Sequence, residues 1–113
     1  MVAHAVEVDA RTALTLVWQG ADILDVREPD EWVAGHAPQA CHVPLPTLPG
    51  ARTPSWRDRP VVVLCRSGNR AKTATALLRL RGVEAFAVSG GMNAWRDAGG
   101  VVVTDAGAPG KVA

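Results

Sequence analysis

The chain has 113 residues, enough for one compact domain, and its charges nearly balance: 12 Lys and Arg against 11 Asp and Glu, for a net +1. That balance excludes an overall basic field of the kind that recruits nucleic acid or an anionic membrane. A 48% hydrophobic content, with 11 Gly and 8 Pro spread along the chain, excludes a disordered polymer and fits a globular fold with many short connections.

An alternating stretch at residues 5–8 comes first, and Asp9 then caps a predicted helix that runs to about Trp18 and is closed by Gly20. Residues 21–26 read as a buried strand. Glu28, Pro29 and Asp30 form the first turn of a short helix, since Pro suits a helix N-terminus and acidic residues suit its dipole; Gly35 ends that helix. Residues 41–43 read as a short strand, and the Pro-rich stretch 44–60 as an extended loop with one helical turn near Trp56. The unbroken apolar run 61–64 is the pattern of a strand covered on both faces. Ala74, Leu77 and Leu78 recur at helical spacing within residues 71–81, and Gly82 is the expected C-cap. A strand at 85–88, a Gly90-Gly91 turn and a short helix through Trp95, ended by Gly99 and Gly100, complete the order. Strands alternating with helices predict an α/β sandwich around a mainly parallel sheet, with one domain over residues 1–103 and a mobile tail over 104–113.

The chemistry concentrates in VVVLCRSGNRAKTATALLRL, which puts Cys65 at the carboxyl end of the buried strand and Arg70 at the start of the following helix. Ligands of open α/β sheets gather at that end, where a helix N-terminus offers unpaired N–H groups. If Arg66, Ser67, Gly68 and Asn69 curl around the sulfur, their amides make an anion-binding nest in which a thiolate is favoured, Gly68 supplying the backbone freedom.

CRSGNRA closely resembles the active-site loop of rhodanese domains, which begins with the catalytic cysteine. DILDVREPDEWVAGHAPQACHVPL resembles the family's earlier Asp-Val-Arg and Gly-His-x-Pro-x-Ala signature, and SGGMNAW its closing Gly-Gly and Trp element. These matches run in the family's order from about Asp22 to Gly99. The resemblance implies a three-layer α/β sandwich with a five-stranded, mainly parallel sheet. It also implies a sulfurtransferase: Cys65 takes sulfur from thiosulfate or a related sulfane-sulfur donor, holds it as a persulfide, and passes it to cyanide, a small thiol or a protein acceptor. In that reading the amides from Arg66 to Arg70 stabilise the sulfur anion and the Arg66 and Arg70 side chains attract the donor. No metal and no cofactor beyond the persulfide is expected.

Asp25 and Arg27 are expected to hold neighbouring loops by ion pairing, and His36 to make a structural hydrogen bond in GHAPQA. Cys41 is expected to pack in the core, its alternative being a thiol that resolves oxidised or persulfidated Cys65. Trp18, Trp32, Trp56 and Trp95 are expected as core anchors; Lys72, Arg79 and Arg81 as a solvated helix face; His4 and His42 have no motif around them.

Phosphatases and arsenate reductases also set a cysteine in an anion cradle, but their usual loop has five residues between Cys and Arg, against four between Cys65 and Arg70. A regulatory module without turnover, or a relay fed by a partner protein, are the further alternatives. The opening MVAHAVEVDA carries neither a basic nor a long apolar targeting segment, and no apolar run reaches membrane-spanning length, so a cytoplasmic protein with no nucleic-acid or membrane partner is expected.

Overall fold

The computed structural model describes residues 6–52, 56 and 58–113. His4, the start of the first alternating stretch and most of the turn expected around Trp56 lie outside them. Five strands, β1 (Glu7–Val8), β2 (Asp22–Asp25), β3 (Cys41–His42), β4 (Val61–Leu64) and β5 (Ala85–Val88), form one sheet in the order β1-β5-β4-β2-β3. Every pairing among them is parallel. Helices α1 (Ala10–Trp18), α2 (Pro29–Ala34), α3 (Asn69–Leu80) and α4 (Gly91–Asp97) alternate with the strands.

The two-residue period of a strand divides the core into two layers. Val61, Val63 and Cys65 face one side, where Ala71, Ala74 and Leu78 of α3 close over them together with Leu48 and Trp56. Val62 and Leu64 face the other, packed with Ala10 and Ala13 of α1 and Met92 and Trp95 of α4. All four β4 residues are wholly buried, as the apolar run required. Cys65 therefore continues the row that lies under α3, which brings its sulfur beneath that helix's first turn.

Several local expectations hold. Asp9 caps α1, its carboxylate accepting from Thr12 N at 2.7 Å, and the Thr12 side chain, followed by this backbone bond, holds the Asp9 carboxyl below its ordinary range. Others shift. The loop after β3 contains a 3-10 helix, Leu45–Gly50, whose turn is reinforced by Thr47 Oγ1 donating to Pro44 O at 2.8 Å. Helix α3 starts at Asn69 rather than 71, because Gly68 in left-handed conformation turns the chain straight into its first turn.

The helix-face cations are less free than expected. Arg79 Nε donates to Ala85 O at 2.7 Å, Arg81 donates to Leu48 O, Pro49 O and Ala51 O, and Lys72 lies 3.5 Å from Glu7. Trp18 is 90% exposed rather than a core anchor: α1 presents it outward, over an open groove bordered by Leu14, Val17, Pro38, Trp95 and Val101.

Residues 104–113, expected as a mobile tail, fold back on the domain. Pro109 pairs antiparallel with Val103, which itself pairs with His36; Thr104 N bonds Ala108 O at 2.9 Å, and Lys111 N reaches Ala34 O at 3.0 Å. The Gly and Pro residues that suggested mobility supply turn chemistry here, with Gly107 at positive φ. Among the described residues no helix is long and apolar enough to cross a membrane.

Candidate active site

Cys65 follows the last residue of β4 and is buried, 1% exposed. Gly68 N lies 3.0 Å and Ala71 N 3.4 Å from its Sγ, both in hydrogen-bonding geometry. The loop thus turns backbone donors inward onto the sulfur, at the N-terminus of a twelve-residue helix whose dipole favours negative charge there.

What turns the amides inward is the grip on the loop's carbonyls from behind. Met92 N donates to Cys65 O at 2.7 Å and Asn93 N to Arg66 O at 3.2 Å, so the first turn of α4 holds the outer side of the loop. This approach needs glycine: Gly91 has φ +55°, and a Cβ there would overlap Cys65 O and the Arg66 carbonyl. Gly68, at φ +111°, backs onto Gly90 in the same way, its virtual Cβ falling 3.3 Å from Gly90 N. The Gly90-Gly91 pair is thus part of the cradle, as the rear wall on which the loop is seated.

The side chains of the loop mostly point away from the sulfur's hydrogen bonds. Ser67 and Asn69 are exposed. Arg66 is exposed, with Nε donating to Ala113 O at 2.8 Å. Arg70, expected to attract donors, is already engaged: its two terminal nitrogens donate to Glu31 Oε1 at 2.6 Å and Oε2 at 2.9 Å. The Arg70 bonds hold the Glu31 carboxyl down to about 2, opposed by partial burial and helped by Glu28 N, which donates to Oε1 at 3.0 Å. Arg70 is pushed up in return, chiefly by its bonds to Glu31, with Cys65 and Glu28 contributing through space.

Glu31 is the site residue that sequence reading missed. Its spacing from Glu28 signals a helix start, and its bond to Glu28 N fulfils that role. Its partner lies 39 residues away, and only the fold brings the two together.

Helix α2 is aimed by a buried scaffold. Asp25 and Arg27 are both wholly buried, with Arg27 donating to the Asp25 carboxylate through Nε and, at 2.7 Å, through one terminal nitrogen. The remaining guanidinium donors go to Gly35 O at 2.7 Å and Glu31 O at 3.3 Å, so the pair's charges are satisfied while the helix is held at both ends. His36 Nδ1 lies 2.9 Å from Trp32 O, and its ring stacks on Trp32 at 3.6 Å between centroids. His42 stacks against Trp32 at 4.7 Å, and its Nε2 lies 2.8 Å from Arg27 O. Asp25, Arg27 and His36 accordingly sit in hydrogen-bonding positions that support α2, none of them bonded to Cys65.

Cys41 departs from its expected place in the core: it is exposed on the edge strand β3. Partial desolvation, and then the Asp22 carboxylate, push its thiol up. Leu24 pairs with Cys41 on one side and Val63 on the other, so the two cysteines sit two strands and two residues apart. Strand spacing makes that roughly 11 Å. A disulfide needs Cα atoms within about 7 Å, so Cys41 is out of reach as a resolving thiol for Cys65 in this fold. Among the described residues, no three His, Cys, Asp or Glu side chains gather as a metal-ligand set.

Known proteins share this architecture. A rhodanese-related protein from Thermoplasma volcanium is 28% identical with a TM-score of 0.80, covering 88% of this chain and 99% of that one. A rhodanese-like domain protein from Staphylococcus aureus is 25% identical with a TM-score of 0.72, over 80% of this chain and 90% of that one. A Rhodopseudomonas palustris protein described as of unknown function and a possible tyrosine phosphatase is 26% identical with a TM-score of 0.74, over 86% and 83% of the two chains. Residues 9–98 match the family model for the rhodanese-like domain. With most of its length matched in sequence, and the sheet and cysteine loop in place, the chain belongs to the rhodanese-like domain family.

Proposed function

We propose that this protein is a sulfurtransferase that carries sulfane sulfur as a persulfide on Cys65. The observation that carries the reading is the pair of amides, Gly68 N and Ala71 N, aimed at Sγ from the start of α3. Such donors stabilise negative charge on sulfur at a fixed position without the help of a histidine base.

With thiosulfate as donor, the Cys65 thiolate attacks the outer sulfur, the S–S bond breaks, and sulfite leaves with the electron pair. The new terminal sulfur carries the negative charge beside the loop amides. An acceptor then attacks that sulfur: cyanide forms thiocyanate, a thiol forms its own persulfide, and the Cys65 thiolate is restored. Met92 N and Asn93 N fix the loop throughout by holding its outer carbonyls. A reducing, cytoplasmic setting belongs to this reading, since it keeps a thiolate nucleophile available.

The test is intact-protein mass spectrometry of reduced wild type and Cys65→Ser after incubation with thiosulfate, followed by cyanide and a thiocyanate assay. A gain of one sulfur on the wild type alone, removed by cyanide with thiocyanate formed, is the expected result. If no donor, including a partner persulfide, loads Cys65, the sulfur-carrier reading fails. Cys65-dependent hydrolysis of a phosphate monoester in its place would assign the cradle to phosphate chemistry.

A further inference from the structure

A cradle for a dianion is expected to offer free cationic side chains, and this one withholds its best placed. Arg70, in the first turn of α3, lies within electrostatic reach of Cys65, yet both its terminal nitrogens are committed to Glu31, at 2.6 and 2.9 Å. Glu31 is only 15% exposed and also accepts from Glu28 N, so it is fixed from two directions. Glu28 adds a second carboxylate within range of Arg70. Arg27 is neutralised by Asp25 in the scaffold below. Among the described residues, Arg66 is the loop guanidinium that pairs with no carboxylate side chain, and it is exposed, where solvent weakens its pull.

We propose that Glu31 sets the charge selectivity of the cradle: by occupying Arg70 it turns Cys65 toward sulfane-sulfur donors less negative than the thiosulfate dianion, the class of a persulfide borne on a thiol. The inference rests on the sulfur-carrier reading and deepens it by naming the donor class. Glu31 acts as a positioning residue, through Arg70 and through its own charge, without touching the reacting sulfur. The transfer itself is unchanged: thiolate attack on the donor's outer sulfur, cleavage of its S–S bond, and departure of the thiolate, sulfinate or sulfite with the electron pair.

Donors that differ by one charge at the same reactive bond provide the test. Thiosulfate carries two negative charges and methanethiosulfonate one. Rates of Cys65 persulfidation by each are measured on wild type and Glu31→Gln, which keeps the side chain's shape and one acceptor for Arg70. By Coulomb's law a unit charge on the order of 7 Å from a reacting group, at an effective dielectric between about 40 and 80, is worth roughly three- to sevenfold in rate per unit of donor charge. The thiosulfate to methanethiosulfonate rate ratio is therefore expected to rise about three- to sevenfold in Glu31→Gln, and the rise to shrink toward 1 M salt, where the Debye length is about 3 Å.

A purely structural Glu31 would move both rates together and leave their ratio and its salt dependence unchanged, which overturns the proposal. If neither donor loads Cys65 and a thiol persulfide does not load it either, the sulfur-carrier reading is what fails; whenever the two donors give no rates, the charge gate is read from alkylation of Cys65 in a Cys41→Ser background. There the thiolate displaces iodide from iodoacetate, an anion, or from neutral iodoacetamide. A ratio of those rates that rises in Glu31→Gln upholds the gate, and an unchanged ratio sinks it.

Discussion

The two segments that meet over the carboxyl edge of the sheet are built by opposite means. The loop after β4 is shaped by its backbone: carbonyls held by Met92 N and Asn93 N, amides turned onto Cys65, and glycines at positions 68 and 91 that let main chains approach closely. The segment after β2 is shaped by side chains: the buried Asp25 and Arg27 pair, and Trp32 stacked between His36 and His42. Each segment has one cysteine close by. Cys65 is buried but surrounded by donors, whereas Cys41 is exposed and has a thiol pushed up by its surroundings. Thiolate chemistry depends on aimed donors, and solvent exposure does not substitute for them.

Exchanging each cysteine for serine is expected to separate the two segments most strongly. Cys65→Ser is expected to abolish sulfur loading, while Cys41→Ser changes its rate by less than about twofold, because Cys41 is too distant to resolve Cys65. Peptide-resolved mass spectrometry after donor treatment checks both. A large loss on Cys41→Ser would show that the exposed thiol shares in turnover.

The next largest effects concern stability, and they differ in kind between the segments. Asp25→Leu leaves the Arg27 guanidinium buried beside an apolar side chain and is expected to cost about 3–5 kcal/mol in urea unfolding. In the backbone-built segment a single methyl is enough. Gly91→Ala puts a Cβ into the Cys65 and Arg66 carbonyls at a φ that disfavours side chains, and about 2–3 kcal/mol is expected, with sulfur loading lost in the same variant. Gly20→Ala is the control: its φ is +107° but the space around it is open, so only about 1 kcal/mol is expected, with loading retained. Equal costs at Gly20 and Gly91 would mean that conformation alone, rather than contact with the loop, accounts for the rear wall.

The sequence was most legible where a pattern is local. The run 61–64 declared a doubly covered strand, and the Cys65 loop declared a strand end feeding a helix start, which together locate the sulfur. Asp25, Arg27 and His36 were readable as supports because charged and ring residues at a strand end need partners nearby. What escaped was non-local or ambiguous in type. Glu31 reads as a helix-start residue, and nothing in its surroundings points to Arg70. Cys41 follows an apolar alanine and so suggested the core, yet β3 is an edge strand and exposes it. The Gly and Pro residues of 104–113 fit a mobile tail and a folded turn equally well, and the structure shows the turn, with Pro109 bridged antiparallel to Val103.

The smallest expected effect lies where the two segments join, at Glu31 and Arg70. Partly exposed pairs of this kind contribute about 1 kcal/mol or less, so the measurement that isolates it is the dependence of stability on pH. The folded Glu31 carboxyl is held down to about 2, below its ordinary 4.5, chiefly by the bonds from Arg70. A depressed carboxyl contributes its full stability above the unfolded value and loses it as pH falls toward the folded one, so this contribution is complete at pH 7 and drains away between about 4.5 and about 2. Glu31→Gln has no such titration, and a protonated glutamate resembles glutamine in shape and charge. Urea-unfolding free energies of wild type and variant should therefore differ most at neutral pH and converge as pH approaches 2. A gap that stays constant across that range would mean that Glu31 holds α2 through its bond to Glu28 N alone, and that its charge is not what joins the side-chain scaffold to the backbone cradle.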